Sequence, residues 1–387
     1  MYYLNTASHV LMNSDNIDLL RNAISKMYNP SDDGEYAEGA RDILSYTKKC
    51  IIQSVSKLGN WNKAMDTYDV IFTSSGSAAN NLALLQMDVV ATTPIEHSSI
   101  HSNPNVAQFI EIDNCGYVNL DALKEINFED AVDGVSVQYV NNELGIIQPV
   151  NEIVKIVHEN NALVHIDAVQ AYGNIDFDIL DLDADFISLS GHKIGALAGI
   201  GCLIVKKNLI PGMTPLIWGE QEYGVFGGTE NLAGIYSWQL ALNNWTSADP
   251  DNKKTFLSYL DEEMKSNGIS YVINPFNRPF DKEYFNLNNI MKDGKYDNKT
   301  ISIAFDGVNG ESLKLALEIY DVIVSNGSAC NTGKESYVLK AVYNCKSNVY
   351  NTIRISLPSV KCTDSTKRDM RDICRILAKA VKRVRRM

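Results

Sequence analysis

One four-residue stretch, Ser190-Gly191-His192-Lys193, constrains this chain more than any other. It follows Asp185-Phe186-Ile187-Ser188-Leu189, an alternating apolar run that reads as a strand ending at the serine. A lysine just past a strand end is placed to attack a carbonyl, provided its amine is neutral. That requires a pKa lowered by desolvation or by a neighbouring cation. Ser190 and His192 are suited to hold a phosphate beside that amine. Standing alone, so short a stretch would read as an ordinary turn with a solvated lysine.

Its context argues otherwise. Leu163-Val164-His165-Ile166-Asp167 is a second buried-strand pattern that closes on a carboxylate, with Gln170 just beyond. The spacing between the two strand ends suits neighbouring strands of an α/β sheet. A strand-end Asp followed by a strand-end Ser-x-His-Lys resembles the pyridoxal phosphate (PLP) site of fold-type I enzymes. There, the Asp pairs with the pyridine nitrogen and the Lys binds the cofactor covalently.

A chain of 387 residues predicts two domains. A net charge of −12 argues against non-specific binding to nucleic acid or anionic membranes. The 7 cysteines are scattered, odd in number and without a C-x-x-C pair. This predicts a reduced, cytoplasmic protein with neither a disulfide framework nor a structural metal site. The start, Met1-Tyr2-Tyr3-Leu4-Asn5, has no basic stretch followed by an apolar one, so no secretory leader is expected. The longest apolar run, near 194–205, is too short and glycine-rich to span a bilayer.

In chain order, an extended arm over 2–12 precedes a helix near 16–28, which Asn29-Pro30-Ser31 breaks. A polar loop through Glu38 leads to an amphipathic helix over about 40–58. Strands are then predicted at 69–73, 89–92, 106–110, 134–140, 163–166, 185–189 and 201–205, with helices at 78–87 and 151–160 among them. This alternation predicts a mostly parallel, doubly wound sheet whose catalytic residues gather at the strands' carboxyl ends. A helix at 231–243 and a polar segment near 247–254 mark a change of domain, after which the pattern is α+β. The expected division is a large domain over 13–245 and a small domain formed by 1–12 and 246–387. The basic run at the C-terminus reads as a solvated helix end.

Further polar clusters sit at strand ends. Thr73-Ser74-Ser75-Gly76-Ser77 opens a helix, and its small residues expose backbone N–H groups to an anion, although a serine-rich cap explains it equally well. Glu96-His97 offers an imidazole that can stack on a flat ring and move protons. Val140-Asn141-Asn142 offers an amide.

These clusters, in this order, resemble the cysteine desulfurases of the class V aminotransferase group over nearly the whole chain. The matching pieces run from Tyr3-Leu4-Asn5 with Ala7, through Asn29-Pro30-Ser31, Thr73 to Asn81, Glu96-His97, Val140 to Gln148 and His165 to Gln170. They continue with Ser190 to Lys193, Gly228-Thr229, Ser325 to Cys330, Ser336 to Leu339 and Ile353-Arg354. The resemblance implies fold type I, PLP as cofactor and L-cysteine as substrate. It implies that Lys193 carries the cofactor, Asp167 pairs with its ring nitrogen, and His97 stacks on the ring. Asn142 and Gln170 would face the phenolic oxygen. Gly76, Ser77, Ser190 and His192 would hold the phosphate, with Thr229 reaching in from the partner of a homodimer. Arg354, with Asn29, would bind the substrate carboxylate, a task suited to a guanidinium fork. Cys330, in Ser325-Asn326-Gly327-Ser328-Ala329-Cys330, would be the thiolate that takes sulfur as a persulfide and gives it to an acceptor protein, as in iron–sulfur cluster assembly.

The sequence also departs from the family. Ser75-Gly76-Ser77-Ala78 stands where the family has Gly-Ala-Thr-Glu, and Glu222 to Thr229 lacks two arginines. No histidine follows closely after Asn29-Pro30-Ser31, and the segment from Cys330 to Ser336 is shorter than in the long-loop subgroup. Two alternatives stay open on sequence: a selenocysteine lyase or other class V lyase, and a PLP-binding paralogue with a scaffold role.

Overall fold

The two strand ends singled out by sequence lie on adjacent strands. The computed structural model describes residues 1–275, 295–327, 335–343 and 349–386. Its larger sheet comprises β2 (Tyr68–Thr73), β3 (Val90–Thr92), β4 (Val106–Phe109), β5 (Gly134–Gln138), β6 (Leu163–Asp167), β7 (Phe186–Ser190) and β8 (Gly201–Lys206), in the order β2-β8-β7-β6-β5-β3-β4. β8 pairs antiparallel with both β2 and β7, and the other pairings are parallel. Six strands therefore point one way, and Thr73, Thr92, Gln138, Asp167 and Ser190 end at one edge.

The middle strands are buried along their length, save the half-buried Leu163 at the start of β6, as a parallel sheet covered on both faces requires. Val135, Val137, Val164, Ile166, Ile187 and Leu189 supply its main core. His165 breaks the apolar run, but its Nδ1 lies 2.8 Å from Ser136 Oγ on β5 and its Nε2 2.8 Å from Ser188 Oγ on β7. A fully buried imidazole is tolerated there because both nitrogens are bonded. Helices Glu35–Ser54 and Leu232–Asn243 pack together on this unit.

A second core lies around the antiparallel sheet β12-β10-β9, where β9 is Tyr271–Ile273, β10 is Thr300–Phe305 and β12 is Thr352–Ser356. Helices Pro250–Ser266, Gly310–Glu318 and Asp364–Val384 back it, through residues such as Phe256, Leu260, Leu313 and Leu377. The last helix opens with a capping box between Thr363 and Thr366 and ends on Lys382 and Arg383, which complement its dipole.

The expected α/β architecture holds, with local differences. The arm is pinned: β1 (Tyr2–Tyr3) pairs with β11 (Val322–Ile323), and Leu4 packs in the second core. The helix expected from 40 starts at Glu35, behind Gly34 at φ 104°. Its acidic first turn looked like loop, yet Glu35 and Glu38 favour a helix N-terminus. Helices Trp61–Thr67 and Tyr337–Val342 were too short for a periodic signal. No helix among the described residues is long and apolar enough to cross a membrane.

Candidate active site

The carboxyl edge of the large sheet opens into a cavity of about 220 Å³. It is lined by Gly76, Ser77, His97, Asn142, Asp167, Gln170, Ser190, His192, Lys193 and Arg354, ten of the residues predicted from sequence, together with Ala7, Ser8, Ser75, Asn80, Gln138, Val140 and Val169.

Asp167 ends β6 and is held from two sides. Asn80 Nδ2 donates to its Oδ2 at 2.8 Å, and Val169 N donates to its Oδ1 at 3.0 Å. Lys193 follows β7 in a single helical turn, Gly191–Lys193. Its Nζ donates to Ala7 O at 2.5 Å and to Ser8 O at 3.1 Å, and Gln170 Nε2 reaches the same Ala7 O at 2.9 Å. The N-terminal arm thus forms one wall of the cavity.

His97 caps the turn Ser98–His101. Its Nδ1 accepts from Ser99 N at 3.2 Å and lies 2.8 Å from Ser99 Oγ. Burial lowers its pKa; Asp167 opposes that shift and Lys193 adds to it. His192 is pushed down to about 3 by burial, with the Lys193 and His9 charges adding, and its Nδ1 lies 3.0 Å from Ser190 Oγ. Both imidazoles are therefore neutral at physiological pH. Glu96, behind His97, is fully buried, and desolvation raises its pKa well above the usual range. Its carboxyl meets Thr93 Oγ1 at 2.5 Å and Gln138 N at 2.8 Å.

Arg354 on β12 brings the second sheet into the cavity although it is 1% exposed. Nη1 donates to Asn142 O at 2.8 Å and Nη2 to Asn5 Oδ1 at 2.9 Å. Ser336 Oγ donates to Glu143 Oε2 at 2.6 Å, and Tyr337 Oη to Glu96 O at 2.6 Å, so helix Tyr337–Val342 docks beside the cavity.

Two predicted residues lie away from this cavity in the chain's own fold. Asn29 is exposed, and its Oδ1 accepts from Ser31 N at 3.0 Å, whereas Asn5 is the asparagine on Arg354. Thr229 is exposed beside a separate hollow with Glu222 and Gly227. Cys330 lies outside the described residues, as do most of the polar stretch 276–298 and the segment 328–334. Where two family arginines are missing, Glu222 Oε2 accepts from Phe72 N and from Lys48 Nζ, both at 2.9 Å. Tyr223 Oη donates to Asp69 at 2.6 Å. The altered segment therefore covers the outer edge of β2.

The residues fit PLP. Asp167 is a fixed carboxylate for a pyridine nitrogen, Lys193 an amine and His97 an aromatic ring, and the helix Gly76–Leu84 presents its N-terminus to a phosphate. A Cβ at Gly76 would meet Val169 Cγ2 at 2.8 Å and Ser190 Cβ at 3.2 Å, so only glycine lets that terminus sit this close to β7.

The family model for class-V aminotransferases matches residues 22–367. The Bacillus subtilis (strain 168) protein provisionally named cysteine desulfurase IscS 1 is 32% identical over 310 residues, which cover 74% of this chain and 77% of the relative. The chain belongs to the cysteine desulfurases of the class-V aminotransferase family. Cysteine desulfurase IscS of Clostridium botulinum (strain Hall) is 28% identical over 384 residues, covering 93% of this chain and 88% of the other. The X-ray structure of a NifS-like protein from Rickettsia africae ESF-5 superposes with a TM-score of 0.81 at 25% identity, over 100% of both chains. Members of this family use PLP, and this desulfurase presents a matching set of groups.

Asn80, Asn5 and the Ala7 and Ser8 carbonyls had no role assigned from sequence. Asn5, Ala7 and Asn80 fall within motif stretches already noted, but only the fold shows what they touch.

Proposed function

We propose that this chain is a PLP-dependent cysteine desulfurase that converts L-cysteine to L-alanine and carries the sulfur on Cys330 to an acceptor protein. The observation that carries this reading is the convergence of Lys193, Asp167, His97 and Arg354 on one cavity. Bound PLP supplies an electron sink for the bonds around the substrate's α-carbon.

The chain's own residues do the rest. Asp167, oriented by Asn80 and Val169, would hold the ring nitrogen of a bound cofactor. Arg354, braced by Asn142 O and Asn5, receives the α-carboxylate. Ser99 N engages His97 Nδ1, which puts the proton of the neutral ring on Nε2, available for transfer. The Cys330 thiolate then bonds to the substrate sulfur. The carbon–sulfur bond breaks with its electron pair left on carbon, which takes a proton to give alanine.

We assign residues 13–245 to a PLP-binding domain, and 1–12 with 246–387 to a second, supported by the separate cores. A homodimer is supported by Ile217, Trp218 and Tyr223, exposed by 45%, 82% and 54%, near Thr229. A second copy covering that face would receive Thr229 at its own phosphate site. A cytoplasmic location, with transfer of sulfur to an iron–sulfur or related acceptor, agrees with the free thiols of Cys50, Cys115, Cys202, Cys362 and Cys374.

The test is the purified protein with PLP and L-cysteine, assayed for alanine. Alanine formed with equimolar sulfur is expected. Bound PLP with no turnover would favour a scaffold instead, and alanine from selenocysteine alone would favour a lyase.

A further inference from the structure

A buried carboxylate outside the cavity is left unused by the reaction. Asp297 is 0% exposed and lies where the loop ahead of β10 meets the large sheet. Its Oδ2 accepts from Asn174 Nδ2 at 2.7 Å and Thr300 Oγ1 at 2.6 Å. Its Oδ1 accepts from Thr300 N at 2.8 Å, Lys299 N at 3.3 Å and Lys253 Nζ at 3.5 Å. Its own N–H donates to Gly145 O at 2.8 Å.

These partners sit behind two cavity-lining residues. Gly145 closes the turn after Asn142, with its N–H on Asn141 O at 2.9 Å and φ at 71°. A Cβ at Gly145 would meet Asp297 Oδ1 at 2.7 Å, so the turn rests directly on the carboxylate. Asn174 Nδ2, bonded to Asp297, also donates to Gln170 O at 3.3 Å. One residue thus ties both turns to Lys253 and β10: its main-chain N–H bonds the Asn142 turn, its carboxylate packs against Gly145, and through Asn174 the carboxylate holds the Gln170 turn. A buried charge with its counter-ion adds little stability over a packed apolar group. What it adds here is direction, fixing two turns at once.

We propose that Asp297 is a positioning residue that sets the spacing of Asn142 and Gln170 across the cofactor cavity. This rests on the reading of that cavity as the PLP site. Two variants test it in the full-length, PLP-loaded protein: Asn174→Ala, and the double change Asp297→Asn with Lys253→Met, which removes the charge together with its counter-ion. Without substrate, the readouts are PLP dissociation, the absorption spectrum of the bound cofactor, and the pH at which that spectrum changes. Turnover of L-cysteine is measured alongside. Both variants are expected to shift the spectral titration in the same direction and to weaken PLP binding about 5-fold, while circular dichroism stays native. A folded variant pair with wild-type spectrum and affinity, lowered only in melting temperature, would overturn the proposal. A wild-type protein that takes up no PLP would overturn both this inference and the cavity reading. A spectral shift in the variants of a protein that binds PLP but makes no alanine would sustain the positioning role and sink only the assigned reaction.

Discussion

Asn80 Nδ2 donates to Asp167 Oδ2 at 2.8 Å, from the helix that also presents its N-terminus to the cavity. The helix suited to the cofactor's phosphate therefore also braces the carboxylate meant for its ring nitrogen. A neutral donor orients Asp167 without cancelling its charge, as an arginine would. Changing Asp167→Asn preserves shape and most packing but removes the fixed negative charge. The expected loss of turnover is on the order of 100-fold, that of one preorganised electrostatic contact, with the melting temperature nearly unchanged. Turnover near wild type would make the carboxylate merely structural.

Arg354 is buried, and its two terminal nitrogens are aimed by Asn142 O and Asn5 Oδ1. A lysine cannot keep both contacts and still present a planar fork to a carboxylate. Arg354→Lys should raise KM for L-cysteine about 10-fold or more with PLP content intact. Asn5→Ala should raise it in the same direction by less. An unchanged KM in Arg354→Lys would show that the carboxylate is bound elsewhere.

The sheet and its active edge were legible in the sequence because buried parallel strands leave near-continuous apolar runs, each closed by a polar residue. Asp167, Ser190 and Lys193 could be placed for that reason. Asn5 and Asn80 could not: their partners are far away in the chain, and an asparagine that braces a carboxylate looks locally like one that caps a turn. The pinning of β1 against β11 was invisible for a related cause, since two-residue strands carry no period. Asn29, assigned to Arg354 by resemblance alone, is exposed in the fold, while Asn5 occupies that place.

His165 provides a pH test of the core. Burial pushes its pKa from the usual 6.5 to about 3, so the folded chain refuses a proton that the unfolded chain accepts. Stability is intact above pH 6.5 and is lost as pH falls toward 3, by about 1.4 kcal/mol per pH unit from this group. Urea unfolding at pH 7, 6 and 5 should show this slope added to that of His192, which burial lowers likewise, and His165→Gln should remove the His165 share even if that variant is weaker at pH 7. An equal slope in the variant would mean that His165 is not the group refusing the proton.

The measurement that bears most directly on the proposed reaction is mass spectrometry of the protein after brief exposure to L-cysteine, with alanine counted in the same sample. The account predicts one added sulfur on the peptide containing Cys330, alanine in equal amount, and neither persulfide nor catalytic alanine in Cys330→Ser, which should still bind PLP. A sulfur adduct on Cys202, Cys345 or another cysteine with Cys330 unmodified, or alanine turnover undiminished in Cys330→Ser, would contradict it.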